Sequence, residues 1–233
     1  MDSVFYDEAK GVYTVPIVAL LDFFSFIFPD QCIGCGKDGN VLCAICERTI
    51  TAKPVALSGS TAALFDYQNP LMKKAIWALK YHHRRALARY FGTALYREFF
   101  KKLAKNNKLR GHEIVLIPIP GNKKAMTMRG YNHATLIAET IRECGASDGL
   151  TMELEKNILY KRREVPQQVR ARGKAGREEN VNGIFAVRHV EKIHNKTVIL
   201  IDDVITTGAT MREARRVVKA CLPKRVLALA VAH

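Results

Sequence analysis

The sequence predicts an α/β fold in which a parallel sheet is flanked by helices and preceded by a small cysteine-rich head. Apolar runs typical of buried strands alternate with segments of helical periodicity along residues 71–232. Before them, four of the six cysteines fall within residues 32–46. Residues 49–60 are short, polar and rich in small side chains, as expected of a connector. We therefore expect two domains: an N-terminal helix and head over residues 1–60, and a sheet domain over residues 61–233.

Size and charge limit the kinds of protein that the chain can be. With 233 residues, 48% of them hydrophobic, it is long and apolar enough for a well-packed globular domain. Lys and Arg number 37 against 22 Asp and Glu, a net charge of +15. Such a surface attracts nucleic acid, phospholipid headgroups and phosphorylated metabolites, although a basic composition without any such ligand is the alternative.

The apolar stretch over residues 15–28 invites comparison with a signal peptide or membrane span. Asp22 interrupts it, no basic cluster precedes it, and it is shorter than the roughly 20 residues that a membrane-spanning helix needs. We expect a buried or amphipathic helix that ends at Pro29, no membrane insertion, and a cytoplasmic protein. In a reducing compartment, closely paired cysteines indicate a metal more often than disulfides.

The head carries two C-x2-C pairs separated by seven residues. The four residues are Cys32, Cys35, Cys43 and Cys46. Four thiolates at this spacing can surround one zinc ion tetrahedrally, and free or redox-active thiols are the alternative. A head of this size has no core of its own, so we expect structural Zn²⁺ that supplies folding energy. Cys144 and Cys221 have no such partners, and we expect them to be buried structural thiols.

The sheet domain divides into elements in a clear order. Helical spacing of apolar residues predicts helices over residues 71–79, 87–99, 132–142 and 209–220. Apolar runs predict strands over residues 114–119, 197–201 and 225–232. A strand that is apolar on both faces suits a parallel sheet covered by helices on both sides.

Two stretches, residues 73–110 and 156–177, are rich in Lys and Arg and contain one acid each. The first is a candidate polyanion surface on helices, and the second, broken by two glycines, is predicted to be a mobile loop. Together they could form a channel for single-stranded nucleic acid in which Tyr81, Tyr90 or Tyr160 stacks on bases. Solvated basic faces and, for Tyr90, core packing are the alternatives.

Residues 198–210 carry the strongest functional signal. The apolar run that opens them ends at Asp202 and Asp203, and ligands of open parallel sheets bind at the carboxyl ends of strands. The residues that then lead into a helix include Thr206, Thr207, Gly208, Ala209 and Thr210. Backbone N–H groups, the helix dipole and three hydroxyls can converge there on a phosphate, while the carboxylates accept hydrogen bonds from ribose hydroxyls. This order predicts a site for ribose 5-phosphate, above all as phosphoribosyl pyrophosphate; a capped strand and ordinary turn is the alternative.

These residues resemble the phosphoribosyl pyrophosphate motif of type I phosphoribosyltransferases, and further segments resemble the ComF (ComFC) competence-protein family. Besides the cysteines and the loop, the segments in this family's order are Lys80-Tyr81, Ile117-Pro118-Ile119-Pro120, Arg129-Gly130-Tyr131-Asn132, Gln167-Gln168, and Arg177 with Asn180. Tyr131 replaces the frequent Phe of the family, and His133 replaces the frequent Gln. The resemblance covers nearly the whole chain and implies a type I phosphoribosyltransferase-like sheet with an N-terminal zinc finger.

The resemblance also implies how the rest of the ligand is held. The loop after Ile119 would lie beside the phosphoribosyl loop and receive pyrophosphate. The residues near the pyrophosphate would be Asn122, Lys123 and Lys124. Arg129 would bind phosphate oxygens bidentately, and the basic stretch that contains Arg177 could close over them. Mg²⁺ would bridge pyrophosphate and the ribose hydroxyls, while Asp202 and Asp203 would favour a cationic sugar during bond cleavage.

Three functions stay open at this point. The first is a magnesium-dependent phosphoribosyltransferase whose acceptor the sequence does not identify. The second, implied by the family, is a binding protein of DNA uptake in natural transformation. It would take single-stranded DNA in the cytoplasm, with a competence helicase as a partner. The third is a sensor of phosphoribosyl pyrophosphate in nucleotide metabolism.

Overall fold

The computed structural model describes residues 5–7, 12–14, 30–58, 60–101, 111, 113–162 and 182–233 of the chain. The chain divides into two compact units, Met1–Thr49 and Ile50–His233. Within the described ranges, no helix is both long and apolar enough to cross a membrane. The predicted N-terminal helix over residues 15–28 and the greater part of the predicted basic loop, residues 163–177, lie outside the described residues.

The first unit contains a short hairpin and the segment that carries the cysteines. Strands β1 (Phe5–Asp7) and β2 (Val12–Thr14) pair antiparallel. Further along, the N–H of Cys32 donates to the carbonyl of Lys37, which closes a tight turn around the first cysteine pair. The second pair belongs to the one-turn helix α1 (Ala44–Glu47), which has Cys43 as its N-cap residue.

The second unit is built on a six-stranded sheet. Its strands are β3 (Ala52–Ser58), β4 (Thr61–Phe65), β5 (Ile114–Pro118), β6 (Met152–Leu154), β9 (Thr197–Val204) and β10 (Arg225–Ala232). They lie in the order β3-β4-β10-β9-β5-β6, and all neighbours are parallel except β3, which pairs antiparallel with β4 at one edge. A separate antiparallel hairpin joins β7 (Leu159–Lys161) to β8 (Phe185–Val187). The predicted α/β fold with a parallel sheet is therefore confirmed.

Helices flank this sheet. They are α2 (Pro70–Tyr81), α3 (Ala86–Phe99), α4 (Lys123–Arg129), α5 (His133–Ser147) and α6 (Ala209–Lys219). Asparagines cap two of them: Oδ1 of Asn69 accepts from the backbone of α2, and Oδ1 of Asn132 accepts from the backbone of α5. The four helices predicted from apolar spacing are all present, each within a few residues of its predicted ends.

The two faces of the sheet bury alternate residues of β9. Val198 and Leu200 pack in one core cluster with Met211 of α6. Ile199 and Ile201 point to the opposite face, where α5 contacts β5 and β9. All four β9 residues are almost completely buried, which explains the unbroken apolar run in the sequence.

The contact between α3 and α5 is unusually close at Gly92. A Cβ at this position would lie 2.5 Å from Cβ of Thr140 and 2.8 Å from the carbonyl oxygen of Ile137. Both neighbours are rigid parts of α5, one of them backbone, so the helices would have to separate to accommodate a side chain. Glycine at residue 92 thus sets the spacing of the two helices.

Two segments differ from the sequence prediction. Residues 49–60 are not a connector, because they contain β3, an edge strand whose residues 52–56 are exposed. Exposure explains its small and polar side chains and the presence of Pro54. Residues 156–177 are not a loop throughout, because they contain β7, where buried Leu159 packs in the same cluster as Phe185. Three residues are too few to show strand alternation in a sequence.

Candidate functional site

The segment after β9 forms a strand, a tight loop and a helix in immediate succession. β9 extends to Val204, three residues beyond its predicted end, and α6 begins at Ala209. Gly208 joins them with a φ of 74°, a left-handed backbone conformation that suits glycine. A Cβ at Gly208 would also lie 3.1 Å from Nη1 of Arg212. Thr206 and Thr207 lie in this loop, and Thr210 lies in the first turn of α6.

Arg212 braces the loop from the first turn of α6. Its Nη1 donates to the carbonyl oxygen of Thr207 over 2.8 Å, and its backbone N–H donates to the carbonyl of Gly208. The hydroxyl of Thr207 in turn accepts from the N–H of Ala209 at 3.4 Å. Arg212 was not among the predicted site residues, although its position four residues after Gly208 places it on the same side of the helix as the loop.

The two adjacent acids of β9 lie in different surroundings. Because consecutive strand residues point to opposite faces, Asp203 shares the face of Ile201, whereas Asp202 shares that of Leu200. Asp203 is buried, and Asp202 is half-buried. The sequence predicted one task for both acids, at the end of a strand. Both lie inside β9 instead, and this placement gives them different environments.

Asp203 accepts from donors on two helices. Nζ of Lys80, in the last turn of α2, lies 2.6 Å from its Oδ1, and Nδ1 of His133, the first residue of α5, lies 3.3 Å from its Oδ2. Burial disfavours the charged carboxylate, but Lys80 and the hydrogen bond from His133 outweigh it and lower the pKa of Asp203 to about 2. Asp203 is therefore ionised throughout the neutral range.

Asp202 has the opposite electrostatic balance. Its Oδ1 accepts from the backbone N–H of Asp203 at 2.8 Å. Burial and the neighbouring Asp203 carboxylate raise the pKa of Asp202 to about 7, against the opposing charges of Lys80 and Lys161. The charge of this carboxylate therefore changes near neutral pH. Lys161 belongs to β7, which brings the beginning of the basic stretch to the face on which Asp202 lies.

Arg129 is held beside these acids by His133 and Tyr81. Its Nη1 lies 2.6 Å from Nε2 of His133, and its guanidinium lies 5.3 Å from the centre of the Tyr81 ring. The turn that follows Arg129 is tied to the sheet by Asn132, whose Nδ2 donates to the carbonyl of Ile119. Since β5 and β9 are parallel neighbours, the loops after them meet at one edge of the sheet.

The other predicted pyrophosphate residues are only partly described. Asn122 is half-buried, and its carbonyl accepts from the N–H of Met126 at the beginning of α4. Lys123 is exposed on α4. The side chain of Lys124 and the whole of Arg177 lie outside the described residues. The roles assigned to these residues stay predictions.

The sequence alone could not have found Lys80 and His133 as partners of Asp203. Lys80 lies 123 positions before Asp203, and His133 follows an ordinary helix cap. The fold brings both side chains to the end of β9.

The cysteine cluster has the geometry of a metal site. The sulfur atoms of Cys32, Cys35, Cys43 and Cys46 all lie within 4.8 Å of one another, and those of Cys35 and Cys43 are 3.7 Å apart. Four thiolates at about 2.3 Å from a tetrahedral zinc ion are separated by about 3.8 Å, so the arrangement fits. The backbone N–H of Cys43 donates to Sγ of Cys32 at 3.3 Å. Although burial opposes it, this bond and two further backbone hydrogen bonds lower the pKa of Cys32 to about 6.

The remaining two cysteines lie apart from this cluster. Cys144 is on α5, and Cys221 follows the end of α6. Both are half-buried rather than fully buried as expected. Burial raises the pKa of the Cys221 thiol, which makes it less reactive than an exposed cysteine.

An exposed aromatic cluster lies at the end of α2. Trp77 and Tyr81 are 56% and 53% exposed, with ring centres 5.5 Å apart, and the His82 ring lies 4.5 Å from that of Trp77. Tyr90, by contrast, stacks on Phe65, in agreement with the core-packing alternative. Lys73 and Lys74 are exposed about one turn before Trp77 on the same face of α2.

Comparison with known proteins gives one family match and several structural likenesses. Residues 149–233 match the phosphoribosyl transferase domain, a range that spans β6 to β10 and includes the loop after β9. An HGPRT-ase from Leishmania tarentolae shares 13% identity, with 63% of this chain and 65% of that chain covered and a TM-score of 0.35. A hypoxanthine phosphoribosyltransferase from Staphylococcus aureus shares 14% identity, with 61% and 62% covered and a TM-score of 0.35.

A third likeness is to the glutamine phosphoribosylpyrophosphate amidotransferase from B. subtilis, with 20% identity, 61% of this chain and 25% of that chain covered, and a TM-score of 0.34. The chain spans less than two thirds of the length of each of these three proteins. No curated protein matches the sequence. The C-terminal part of the chain is thus similar to a phosphoribosyl transferase domain.

Proposed function

We propose that this protein binds phosphoribosyl pyrophosphate, or a related ribose 5-phosphate, in the loop between β9 and α6. One observation carries the proposal: a buried parallel strand delivers two acids and then a Thr-Thr-Gly turn to the beginning of a helix. The family match covers the same residues. Backbone N–H groups of residues 206–210 would hold the 5-phosphate, aided by the positive end of the α6 dipole.

The rest of the ligand would extend toward the loop after β5. The acid pair at the end of β9 would accept hydrogen bonds from the ribose hydroxyls, and Arg129 would bind the pyrophosphate. Asn122, Lys123, Lys124 and Arg177 complete the proposed pyrophosphate side. Mg²⁺ bound with the ligand would neutralise pyrophosphate charge and stabilise it as a leaving group. Turnover as a magnesium-dependent phosphoribosyltransferase, or sensing of the ligand in nucleotide metabolism, are the alternatives to binding in DNA uptake.

We further propose that the cysteine cluster of the first unit holds structural Zn²⁺. The four sulfurs are near enough to share one ion, and thiolate ligands at this distance suit zinc. Four protein ligands fill a tetrahedral zinc site completely, which is typical of structural rather than catalytic zinc.

Single-stranded DNA is the second proposed ligand, and the exposed aromatic cluster on α2 supports it. Trp77 and Tyr81 offer aromatic rings on the face of α2 that also exposes Lys73 and Lys74, and such a combination binds single strands with little sequence preference. The net charge of +15 adds a general attraction for polyanions. We propose, from the resemblance of the sequence to the ComF family, that such binding serves cytoplasmic DNA uptake for natural transformation, with a competence helicase as a partner.

Calorimetric titration with magnesium phosphoribosyl pyrophosphate tests the first proposal directly. Wild type should bind, and Thr206→Ala/Thr207→Ala should bind at least about 10-fold more weakly, because two hydroxyl donors to a charged phosphate are lost. The matched control is Thr151→Ala, an exposed threonine just before the amino end of β6, which should leave the affinity unchanged. Wild type that binds no ligand would overturn the proposal. Release of pyrophosphate after addition of a base or of DNA would favour the enzyme over the sensor.

A further inference from the structure

We propose that the two acids of β9 have different tasks: Asp202 alone accepts from the ribose hydroxyls, whereas Asp203 is a positioning residue that aims Arg129 through His133. This inference rests on the proposed ribose-phosphate site and divides its acid pair. It also adds Lys80 and His133 to the residues on which ligand binding depends.

Both oxygens of Asp203 already have donors from the protein. Oδ1 lies 2.6 Å from Nζ of Lys80, and Oδ2 lies 3.3 Å from Nδ1 of His133. The side chain of Asp203 is 10% exposed, and those of Lys80 and His133 are 26% and 11% exposed. These two donors occupy about half of the acceptor positions of the carboxylate, and its burial leaves a sugar hydroxyl little access to the rest. A hydroxyl that displaced Lys80 or His133 would leave a polar group without its partner, which is costly.

Asp202 is the more accessible carboxylate. It is half-buried, and its Oδ1 accepts from the N–H of Asp203 at 2.8 Å. Within the described ranges of the chain, the structure shows no hydrogen-bond donor to its Oδ2. An ionised carboxylate offers about four acceptor positions, so Asp202 can receive both ribose hydroxyls without losing its existing partner.

The contact with Arg129 determines which ring nitrogen of His133 carries the proton. A guanidinium group can only donate, so Nε2 of His133, 2.6 Å from Nη1 of Arg129, must accept. The ring proton is then on Nδ1, where it faces Oδ2 of Asp203. Asp203 thus selects the tautomer of His133 that can receive Arg129.

The contacts from Asp203 through His133 to Arg129 connect three elements of the fold to the proposed pyrophosphate position. Asp203 belongs to β9, His133 begins α5, and Arg129 ends α4. The Tyr81 ring, 5.3 Å from the guanidinium, supports Arg129 from α2. Arg129 is therefore oriented before the ligand arrives, which reduces the conformational entropy lost on binding.

The first experiment measures discrimination between ribose 5-phosphate and 2-deoxyribose 5-phosphate by calorimetry. Wild type should prefer ribose 5-phosphate by roughly 10-fold or more, because a hydroxyl that donates to a carboxylate makes a charge-assisted bond. Asp202→Ala should bring the ratio close to one. Asp203→Asn, which keeps the shape of the buried side chain, should retain the wild-type ratio. Thermal melts confirm that each variant is folded.

The second experiment isolates the pyrophosphate side. His133→Leu and Asp203→Asn should lower the affinity for magnesium phosphoribosyl pyrophosphate by roughly 10-fold and change the affinity for ribose 5-phosphate much less. His133→Gln should recover most of the loss, because an amide can donate to Asp203 and accept from Arg129. If His133 only stabilised the fold, His133→Leu would lower the affinities for both ligands, and His133→Gln would not selectively restore the affinity for magnesium phosphoribosyl pyrophosphate.

The outcomes separate the two proposals. If wild type binds neither sugar phosphate nor phosphoribosyl pyrophosphate, the proposed ribose-phosphate site fails, and the division of the acids fails with it. If wild type binds but Asp203→Asn removes the discrimination while Asp202→Ala keeps it, the site stands and the assignment of tasks is overturned. Equal losses for both ligands in His133→Leu, without rescue by His133→Gln, would overturn the positioning role.

Discussion

Replacement of Lys80 by methionine should destabilise the second unit by roughly 2 to 4 kcal/mol at pH 7. The pKa of Asp203 lies at about 2 rather than the ordinary 3.8, and this difference alone corresponds to roughly 2 kcal/mol of stabilisation. Lys80→Met removes the cation that makes the largest favourable contribution to this shift and leaves a buried carboxylate with His133 as its remaining partner. Breaking a buried ion pair from one side commonly costs about 3 to 5 kcal/mol, which sets the upper part of the range.

The pH dependence of this loss follows from the direction of the shift. A carboxyl whose pKa is lowered by folding contributes stability that is present above its unfolded value and is lost as pH falls toward its folded value. As pH falls, the difference between wild type and Lys80→Met should therefore shrink, beginning where the buried Asp203 of the variant takes up a proton and ending near pH 2, the pKa of Asp203 in wild type. Urea unfolding followed by far-UV circular dichroism at a series of pH values measures it.

Two further variants make the prediction refutable. Lys156→Met breaks an ion pair with Glu139 whose lysine side chain is 50% exposed, so it should change stability little. The double variant Lys80→Met/Asp203→Asn removes both charges and should be more stable than the sum of the single losses predicts. Simple additivity of the two single changes would show that the pair is not energetically coupled and would refute the reasoning.

Three other outcomes are expected. The pKa of Asp202 is raised to about 7, so its side chain becomes an ionised carboxylate as pH rises through this value. The preference for ribose 5-phosphate over its 2-deoxy analogue should therefore rise with pH through about 7. A preference measured by calorimetry that does not change with pH in wild type would contradict this. Elemental analysis should find one zinc per chain, lost in Cys32→Ser and retained in Cys144→Ser; retention in both would contradict the cluster as its site. Trp77→Ala should weaken single-stranded DNA binding roughly 5- to 100-fold in fluorescence anisotropy, whereas Leu222→Ala, at a more exposed apolar residue, should not. Wild-type affinity should also fall with salt; an affinity that changes with neither Trp77→Ala nor salt would refute the DNA surface.

The sequence predicted those parts of the molecule whose causes are local. Continuous apolar runs identified β5, β9 and β10, because a strand buried on both faces needs them. The loop after β9 could be placed because glycine, threonines and the following helix are consecutive. The cysteine cluster could also be placed, because metal ligands on adjacent turns leave a spacing that survives in the sequence.

What the sequence did not reveal depends on contacts between distant segments. β3 is an exposed edge strand and β7 has three residues, so neither carries a pattern that separates it from a loop. The partners of Asp203 could not be read from the sequence either, because Lys80 is 123 positions away and meets Asp203 only in the folded chain. Local patterns predict elements, whereas the charges that distinguish Asp202 from Asp203 arise from tertiary packing.

Substitution of Gly92 should weaken ligand binding from a distance. The residue lies far along the chain from the loop and has no group to offer a phosphate, yet α5, which it allows to approach α3, begins with His133. Any side chain at residue 92 would push α5 outward as a unit, since a helix is stiff along its axis. A random mutagenesis screen for defective binders should therefore return substitutions of Gly92 beside those of the loop itself.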